Sequence, residues 1–268
     1  MMIVLLNRNG QTCNQMLQIA STLARGIRYK QRVRCINIDP QIFSFFDFNK
    51  KIMEENNIYL KTTKWCDQAA KIIARVKKIF KYKKKFKIKK VGFNLISDWE
   101  SSVDYDSLKY ERDKILTIIH FKHTLVEGYN KFLKENIKNQ EVVIGVHIRR
   151  GDYKFFENGK YYYSDREYSK WMQYLYQSNP NVVFLLCGNE KVDEQQYVNL
   201  PVYFMNGSAS EDLYCLSRCD YIMGPPSSFS RWAAYMGGNK RAVLKEKSKD
   251  YAFDDFYDYS EDKFYESH

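Results

Sequence analysis

Residues 142–153 read VVIGVHIRRGDY, and this stretch decides the fold class of the chain. Its first seven residues, Val142–Ile148, form an apolar run rich in β-branched side chains, which predicts a strand buried on both faces of a sheet. Similar strands are predicted at residues 182–187, 202–205, 221–223 and 241–244, with helices at 167–177, 211–218 and 228–236 between them. Strict alternation of strand and helix predicts a parallel, helix-covered sheet.

The first half of the chain starts in the same way. Residues 3–6 are predicted to form a strand, residues 14–28 a helix and residues 33–38 a second strand. Residues 113–137 also read as a helix. We therefore predict an α/β protein with two Rossmann-like domains. Residues 1–140 form an N-terminal domain with a basic helical insertion, and residues 141–268 form the C-terminal domain.

Two adjacent arginines follow the strand Val142–Ile148. Ligands of parallel sheets bind beyond the carboxyl ends of the strands, where these arginines lie. Side chains alternate along a strand, so Arg149 and Arg150 should point to opposite faces. One can reach the cleft while Asp152 or another neighbour holds the other, and a guanidinium can bind a phosphate with two hydrogen bonds. From spacing alone, a structural ion-pair cluster is an equally good interpretation.

Two further segments can form part of the same kind of site. Gly224-Pro225-Pro226 ends a predicted strand, and Ser227 or Ser228 then caps the next helix. A helix N-terminus with free N–H groups suits a phosphate, although an ordinary cap explains the same residues. Asn14 and Gln15 open the first helix, and their amides can bind a sugar or simply form a polar first turn.

Composition narrows the function classes. The chain has 268 residues, 44% of them apolar and 16% aromatic, which excludes a disordered protein. No apolar run reaches the roughly 18 residues of a membrane-spanning helix, and we expect a cytoplasmic protein. Asp104 and Asp106 have a spacing that can hold a divalent metal, as do His120 and His123, but such pairs are common by chance. No metal site is predicted.

Much of the net charge of +11 is concentrated in residues 71–90, which contain ten Lys and one Arg. Interleaved aromatic residues resemble those of proteins that bind single-stranded nucleic acid. An apolar stripe along the same predicted helix suits an anionic membrane surface instead, which would place the protein peripherally on the inner face of the membrane. A solvated basic face without a partner is the third alternative.

The sequence from His147 to Tyr153 resembles the signature of the α-1,2-fucosyltransferases, glycosyltransferase family 11. Three other segments resemble family motifs in the same order along the chain: Asn14-Gln15-Met16, Glu211-Asp212-Leu213-Tyr214 and Ser227-Ser228-Phe229-Ser230-Arg231-Trp232. Three positions depart from the family pattern, namely the glycine-poor loop before Asn14, Gly188-Asn189 after the second strand, and Arg231 in place of the usual tryptophan.

The resemblance implies a GT-B-type fold and an inverting enzyme. Such an enzyme transfers fucose from GDP-fucose to a sugar hydroxyl of a glycan acceptor, the 2-OH of galactose, without a metal or other cofactor. It implies that Arg149 is catalytic and binds the donor β-phosphate. The other implied donor-binding residues are His147, Arg150, Asp152, Tyr153, Asn14, Gln15, Glu211, Asp212, Ser227, Ser228, Phe229 and Ser230. The glycine-poor loop leaves a non-catalytic sugar-binding relative as an alternative.

Overall fold

The computed structural model describes residues 1–5, 10–61, 93–96, 103–137 and 141–261, the four residues 93–96 by their backbone alone. The chain divides into two compact units, Met1–Lys122 and His123–His268. The predicted domain boundary after residue 140 assigned the helix at 123–136 to the first domain, whereas its contacts group it with the second unit. Residues 71–90 lie outside the described residues.

The first unit contains a four-stranded parallel sheet. In chain order its elements are β1 (Met2–Leu5), α1 (Thr12–Arg28), β2 (Arg32–Ile36), α2 (Ile42–Phe45), β3 (Phe46–Phe48), α3 (Lys50–Glu55), β4 (Ile58–Lys61), β5 (Phe93–Ile96), α4 (Tyr105–Tyr110), α5 (Arg112–Ile118) and β6 (Ile119–Phe121). The strand order is β4-β2-β1-β5. Helix α1 lies close against β2, because a Cβ atom at Gly26 would come within 2.1 Å of Val33 Cγ2.

The continuous helix predicted over residues 113–137 is wrong. Helix α5 ends at Ile118, and β6 follows it directly and pairs with β3 in an antiparallel ribbon. A new helix then begins at His123. The physical reason is that the apolar side chains of β6 pack across the ribbon, with Phe46 and Phe121 ring centroids 5.1 Å apart. This tertiary pairing outweighs the local helical preference.

The second unit contains a six-stranded sheet. Its elements are α6 (His123–Asn136), β7 (Val142–Ile148), α7 (Asp165–Ser178), β8 (Val182–Gly188), β9 (Val202–Met205), α8 (Ala209–Arg218), β10 (Tyr221–Gly224), α9 (Ser228–Gly237), β11 (Lys240–Val243) and β12 (Tyr257–Asp258). The strand order is β12-β11-β10-β7-β8-β9. Strand β7 is central and pairs in parallel with β8 and β10, so these three strands end at one edge.

The end of the chain adds an element that the sequence did not predict. Strand β12 pairs antiparallel with β11 inside the acidic tail, so the second sheet is not wholly parallel. Aromatic residues explain this, because Tyr221 packs edge-on against Phe253 and Phe256 at 5.5 and 5.2 Å. Over the described residues, every helix is too short or too polar to cross a membrane.

Candidate donor-binding site

Arg149 is the first residue after β7 and lies at the carboxyl edge of the second sheet. Its side chain is 18% exposed, and Nη2 lies 2.8 Å from Oδ1 of the exposed Asp152. Its guanidinium carbon lies 5.4 Å from the centre of the Tyr153 ring. An ion pair with an exposed carboxylate is weak. A doubly charged ligand can therefore compete for this guanidinium without a large penalty.

The neighbouring Arg150 has a different environment. Its side chain is 8% exposed, its Nη2 atom lies 2.7 Å from Asp165 Oδ1, and Nε donates to the carbonyl oxygen of Tyr163. Burial alone would raise the pKa of Asp165, but hydrogen bonds from Arg150 and Tyr197 hold that pKa below its usual value. The sequence predicted that Asp152 or another neighbour would hold one of the two arginines, and in the structure Asp152 pairs with Arg149 while Asp165 pairs with Arg150. Arg150 is engaged inside the fold, and its predicted contact with a donor stays a prediction.

The turn after the arginines depends on Gly151. This residue has a φ of +61°, and a Cβ atom there would lie 2.9 Å from Asn189 Nδ2. Asn189 also accepts a hydrogen bond from the backbone N–H of Arg150 at 2.8 Å. The departure from the family pattern at Asn189 therefore sits directly beneath the turn that positions both arginines.

Tyr153 connects this turn to the next strand end. Its ring is buried, and its hydroxyl donates a hydrogen bond to the carbonyl oxygen of Pro226. The proton of that hydroxyl is engaged with Pro226, and direct contact of Tyr153 with a donor stays a prediction. The Tyr153 side chain thus joins the loop after β7 to the loop after β10.

The N-terminus of α9 follows Pro226. Ser227 is its N-cap, with the side-chain oxygen accepting from the N–H of Phe229 at 3.2 Å. Ser230 donates its hydroxyl to the carbonyl oxygen of Ser227. The half-buried Ser228 has no hydrogen bond to its hydroxyl among the described residues. The predicted cap is confirmed, and Ser228 retains the hydroxyl that a phosphate could use.

His147 lies beneath this edge with its ring stacked on Phe229, at a centroid distance of 5.0 Å. Burial, together with the guanidinium groups of Arg149 and Arg241, lowers the pKa of His147 to about 3. The imidazole is therefore neutral near pH 7. Its Nδ1 atom is buried without a hydrogen-bond partner in the part of the chain that the structure describes. This nitrogen can form a hydrogen bond to a ligand.

Glu211 and Asp212 are adjacent on α8 but serve different purposes. Glu211 forms a capping box with Ser208, whose backbone N–H donates to the Glu211 carboxylate at 2.6 Å and lowers its pKa. Asp212 is buried, and burial raises its pKa to about 8 although the backbone N–H of Gly188 donates to it. Its Oδ1 atom has no hydrogen-bond partner within the described ranges. An oxygen without a partner distinguishes Asp212 from Glu211, and the predicted contact of either residue with a donor stays a prediction.

Asn14 and Gln15 lie in the first unit, in the first turn of α1. Gln15 is buried and donates from Nε2 to the carbonyl oxygen of Gly10 at 3.1 Å. Gly10 has a φ of +68°, and a Cβ atom there would lie 2.3 Å from Asn14 Nδ2. The Gln15 amide therefore supports the turn at Gly10, which precedes α1, and the Asn14 amide packs closely against the same turn.

The weaker metal candidates have structural roles. Asp104 caps α4 through hydrogen bonds from the N–H and hydroxyl of Ser107. His120 lies in β6 and His123 begins the next helix, so they do not share a helix face. Across the residues that the structure describes, no cluster of three or more His, Cys, Asp or Glu side chains could hold a metal ion.

With this geometry in place, comparison with known proteins identifies the family. A family model described as glycosyl transferase family 11 matches residues 6–266. The chain belongs to glycosyl transferase family 11. It is also 26% identical over 153 residues to galactoside alpha-(1,2)-fucosyltransferase 2 of Sus scrofa. That match covers 52% of this chain and 44% of the pig protein, so the chain spans less than half the length of this curated relative.

Solved structures of fucosyltransferases share the fold of this family 11 protein. NodZ alpha-1,6-fucosyltransferase, a Bradyrhizobium protein, soaked with GDP-fucose, aligns with a TM-score of 0.59 at 13% identity, over 93% of this chain and 97% of that one. POFUT1 in complex with GDP-fucose aligns with a TM-score of 0.54 at 11% identity, over 94% and 96% of the two chains. At such identities the likeness shows the fold alone, and it confirms the predicted GT-B fold.

Two residues support the site in ways that the sequence did not predict: Asp165 was not named, and Asn189 was named only as a departure from the family pattern. Asp165 directly follows Ser164, which forms a capping box with Glu167 at the start of α7. This Ser-x-x-Glu signature was available in the sequence and would have placed Asp165 at a helix start. No sequence signal indicates that Asn189 supports Gly151, because their contact is made only when β7 and β8 pair.

Proposed function

We propose that this family 11 protein is an inverting fucosyltransferase that transfers fucose from GDP-fucose to a hydroxyl of a glycan acceptor, the 2-OH of galactose. The observation that carries the proposal is that the Arg149 guanidinium and the N-terminus of α9 lie at the same edge of one sheet. Tyr153 joins the two through its hydrogen bond to Pro226. The names of the relatives support fucose and galactose as the sugars.

In the proposed reaction the acceptor oxygen attacks C1 of fucose from the face opposite the diphosphate. The bond between C1 and the β-phosphate oxygen breaks, and GDP leaves with the electron pair while the proton of the acceptor hydroxyl passes to solvent. Negative charge grows on the departing diphosphate. Arg149 and the Ser228 hydroxyl neutralise that charge, which is why we propose that no metal or other cofactor is needed.

We further propose that Asp212 and His147 bind the nucleotide. Guanine offers two adjacent N–H donors, and a carboxylate is a suitable double acceptor for them. Asp212 is buried and has an oxygen without a partner in the described chain, so binding such donors would satisfy it. The unpartnered Nδ1 of His147 adds a neutral hydrogen-bonding group. This arrangement favours GDP-sugars over UDP-sugars.

The proposal is tested first by a donor screen. Thermal shift with GDP-fucose, GDP-mannose and UDP-sugars should show the largest stabilisation with a GDP-sugar. Transfer is then followed by release of GDP with lactose as the acceptor, with and without EDTA. We expect turnover that EDTA does not reduce. Binding of GDP-fucose without hydrolysis or transfer would instead indicate a non-catalytic sugar-binding relative.

The role of Arg149 is tested by Arg149→Ala. Loss of one preorganised group that stabilises a developing anion should lower kcat about 10²–10³-fold. Arg166→Ala is the matched control, because it removes one positive charge from an exposed position on α7 in the same unit. Near-normal turnover of the Arg149 variant would rule out the proposed donor site.

We also propose that the protein acts at the inner face of a membrane, through the basic residues 71–90. The charge of this segment, ten Lys and one Arg in twenty residues, favours anionic lipids. Co-sedimentation with phosphatidylserine vesicles should be strong and salt-dependent, and weak with neutral vesicles. Tighter binding to a labelled oligonucleotide at physiological salt would favour the nucleic-acid alternative.

A further inference from the structure

The connection from β7 to α7, residues 149–164, is long for a turn between a strand and a helix, which usually has about 2–6 residues. Long loops at this edge of a sheet commonly carry function. The middle of this one displays two adjacent aromatic side chains to solvent, with Phe155 80% exposed and Phe156 41% exposed. Paired, exposed phenylalanines are a departure from the usual burial of this residue.

The exposed phenylalanines are held in place by their neighbours in the loop. Before them, Tyr153 donates its hydroxyl to the carbonyl oxygen of Pro226. After them, the buried Tyr163 donates its hydroxyl to the carbonyl oxygen of Leu244 at 2.8 Å. Both ends of the loop are therefore fixed to the sheet edge, and the phenylalanines are presented on a fixed frame.

The tip of the loop also has an unusual backbone. Glu157 and Asn158 have φ values of 48° and 55°, in the left-handed region, and Gly159 follows with 76°. A Cβ atom at Gly159 would lie 3.1 Å from the carbonyl oxygen of Lys154, so the chain turns back tightly here. Consecutive non-glycine residues in this region are strained, and such strain is concentrated at binding and catalytic sites. The turn keeps Phe155 and Phe156 facing outward.

A row of rings connects Phe156 to the proposed donor site, and Phe155 is its neighbour in the chain. The guanidinium carbon of Arg149 lies 5.4 Å from the centre of the Tyr153 ring, and the Phe156 ring lies 5.1 Å beyond it. Phe156 is therefore one ring removed from the group that holds the leaving diphosphate. In a transferase the acceptor must approach the same sugar carbon that the diphosphate leaves. The exposed rings lie within the reach of an acceptor that does so.

We propose that Phe155 and Phe156 form an acceptor subsite whose ring faces stack on a sugar ring of the acceptor glycan. The C–H groups on one face of a hexose are weakly positive and match the negative face of an aromatic ring. This inference rests on the proposed fucosyl transfer. A glycan is favoured over a lipid surface because the rings continue directly from Arg149, where the chemistry occurs, although Lys154 and Lys160 flank them.

The test is the double variant Phe155→Ala/Phe156→Ala. With lactose as the acceptor, we expect the acceptor KM to rise about tenfold or more, because the variant loses two stacking surfaces. The KM for GDP-fucose and the rate of GDP-fucose hydrolysis without acceptor should stay within twofold of wild type. Phe156→Trp, which keeps an aromatic face, should retain most of the affinity for lactose.

The matched control is Tyr174→Ala on α7, which removes an aromatic side chain that is likewise 41% exposed in the same unit. It should leave every kinetic constant unchanged. An unchanged lactose KM in the double variant would overturn the subsite, as would a parallel fall in hydrolysis, which would indicate a structural role. Loss of vesicle binding with normal kinetics would assign the rings to a lipid surface instead. Absence of transfer by the wild-type chain would defeat the proposed function itself.

Discussion

The loops after β7 and after β10 leave neighbouring strands at the same edge of one sheet, yet they are built differently. The loop after β7 is long and charged, and it contains four residues with positive φ, including Gly151 and Gly159. The loop after β10 is short, contains two prolines and leads into α9 through the cap Ser227. One loop supplies a full positive charge, and the other supplies a hydroxyl and the N-terminal dipole of a helix.

This difference indicates how the two loops would divide the task of holding the diphosphate of the proposed donor. A guanidinium gives a strong, directed interaction but must be positioned by neighbours, because its side chain is long. A helix N-terminus is positioned by its own backbone and contributes less. The loop after β7 therefore depends on buried contacts from elsewhere, and the loop after β10 depends mainly on its cap.

The largest effect on stability should come from changing Arg150, the buried residue that supports the loop after β7. Arg150→Leu leaves Asp165 charged and without its partner, which should lower the free energy of unfolding by about 3–5 kcal/mol. Arg149→Leu should change it by about 1 kcal/mol or less, because its partner Asp152 is exposed. Urea denaturation measures both. Arg150→Leu combined with Asp165→Leu should recover much of the loss, and equal effects of the two single changes would contradict the distinction.

Arg149→Lys tests whether the forked geometry of the guanidinium matters in addition to its charge. Lysine keeps the charge but cannot make two parallel hydrogen bonds, so kcat should fall about tenfold or more, though less than with Arg149→Ala. Steady-state release of GDP gives the value. If lysine restored full turnover, charge alone would explain the role of Arg149, and the forked geometry would not matter.

The link between the loops is tested by Tyr153→Phe. The change removes only the hydroxyl that donates to Pro226, which should weaken GDP binding by about 1 kcal/mol, or about fivefold. Tyr161→Phe is the control, because the hydroxyl of this buried loop tyrosine has no hydrogen bond within the described residues. Calorimetry with GDP measures both. Equal affinities for the two variants would mean that the loops act independently.

The second loop should give a smaller effect on binding. Ser228→Ala removes a hydroxyl that has no protein partner in the described chain, so GDP affinity should fall about threefold while stability is unchanged. Ser227→Ala should do the reverse and lower the free energy of unfolding by about 1 kcal/mol, because it removes the cap of α9. Thermal unfolding with and without GDP separates the two outcomes. A large loss of turnover from Ser228→Ala would make the loops equal contributors.

Proton release on GDP binding tests whether Asp212, on α8, binds the nucleotide as a charged carboxylate. Because burial raises the pKa of Asp212 to about 8, its carboxyl is mostly protonated at pH 7 in the free protein. The stability that this proton provides is present below the unfolded value near 3.8 and is lost as pH rises through 8. Binding guanine donors favours the carboxylate, so GDP binding at pH 7 should release a fraction of a proton.

Calorimetry of GDP binding in phosphate and in Tris buffer measures this release, because the two buffers differ in ionisation enthalpy. Asp212→Asn should abolish the buffer dependence and flatten the loss of stability between pH 6 and pH 8. Identical heats for the wild type in both buffers would show that Asp212 does not change protonation when the nucleotide binds.

The sequence by itself determined the main elements of the second unit. Val142–Ile148 and Val202–Met205 were predicted with the bounds that the structure has, because apolar runs flanked by polar turns leave little choice. The cap at Ser227 was likewise predicted from adjacent residues alone. The ribbon strand Ile119–Phe121 and the edge strand Tyr257–Asp258 were missed, since each is a strand only because a distant strand pairs with it.

Tertiary structure alone decided which candidate residues are open to a ligand. Sequence placed two arginines at one strand end, but only the structure shows that Arg150 pairs with the largely buried Asp165 while Arg149 pairs with the exposed Asp152. In the same way, Glu211 became the partner of the cap Ser208, and Asp212 became a buried carboxyl group with an oxygen that has no hydrogen-bond partner among the described residues. Local sequence sets which chemical groups reach the sheet edge. Their protonation and availability depend on burial and on partners that are far away in the chain.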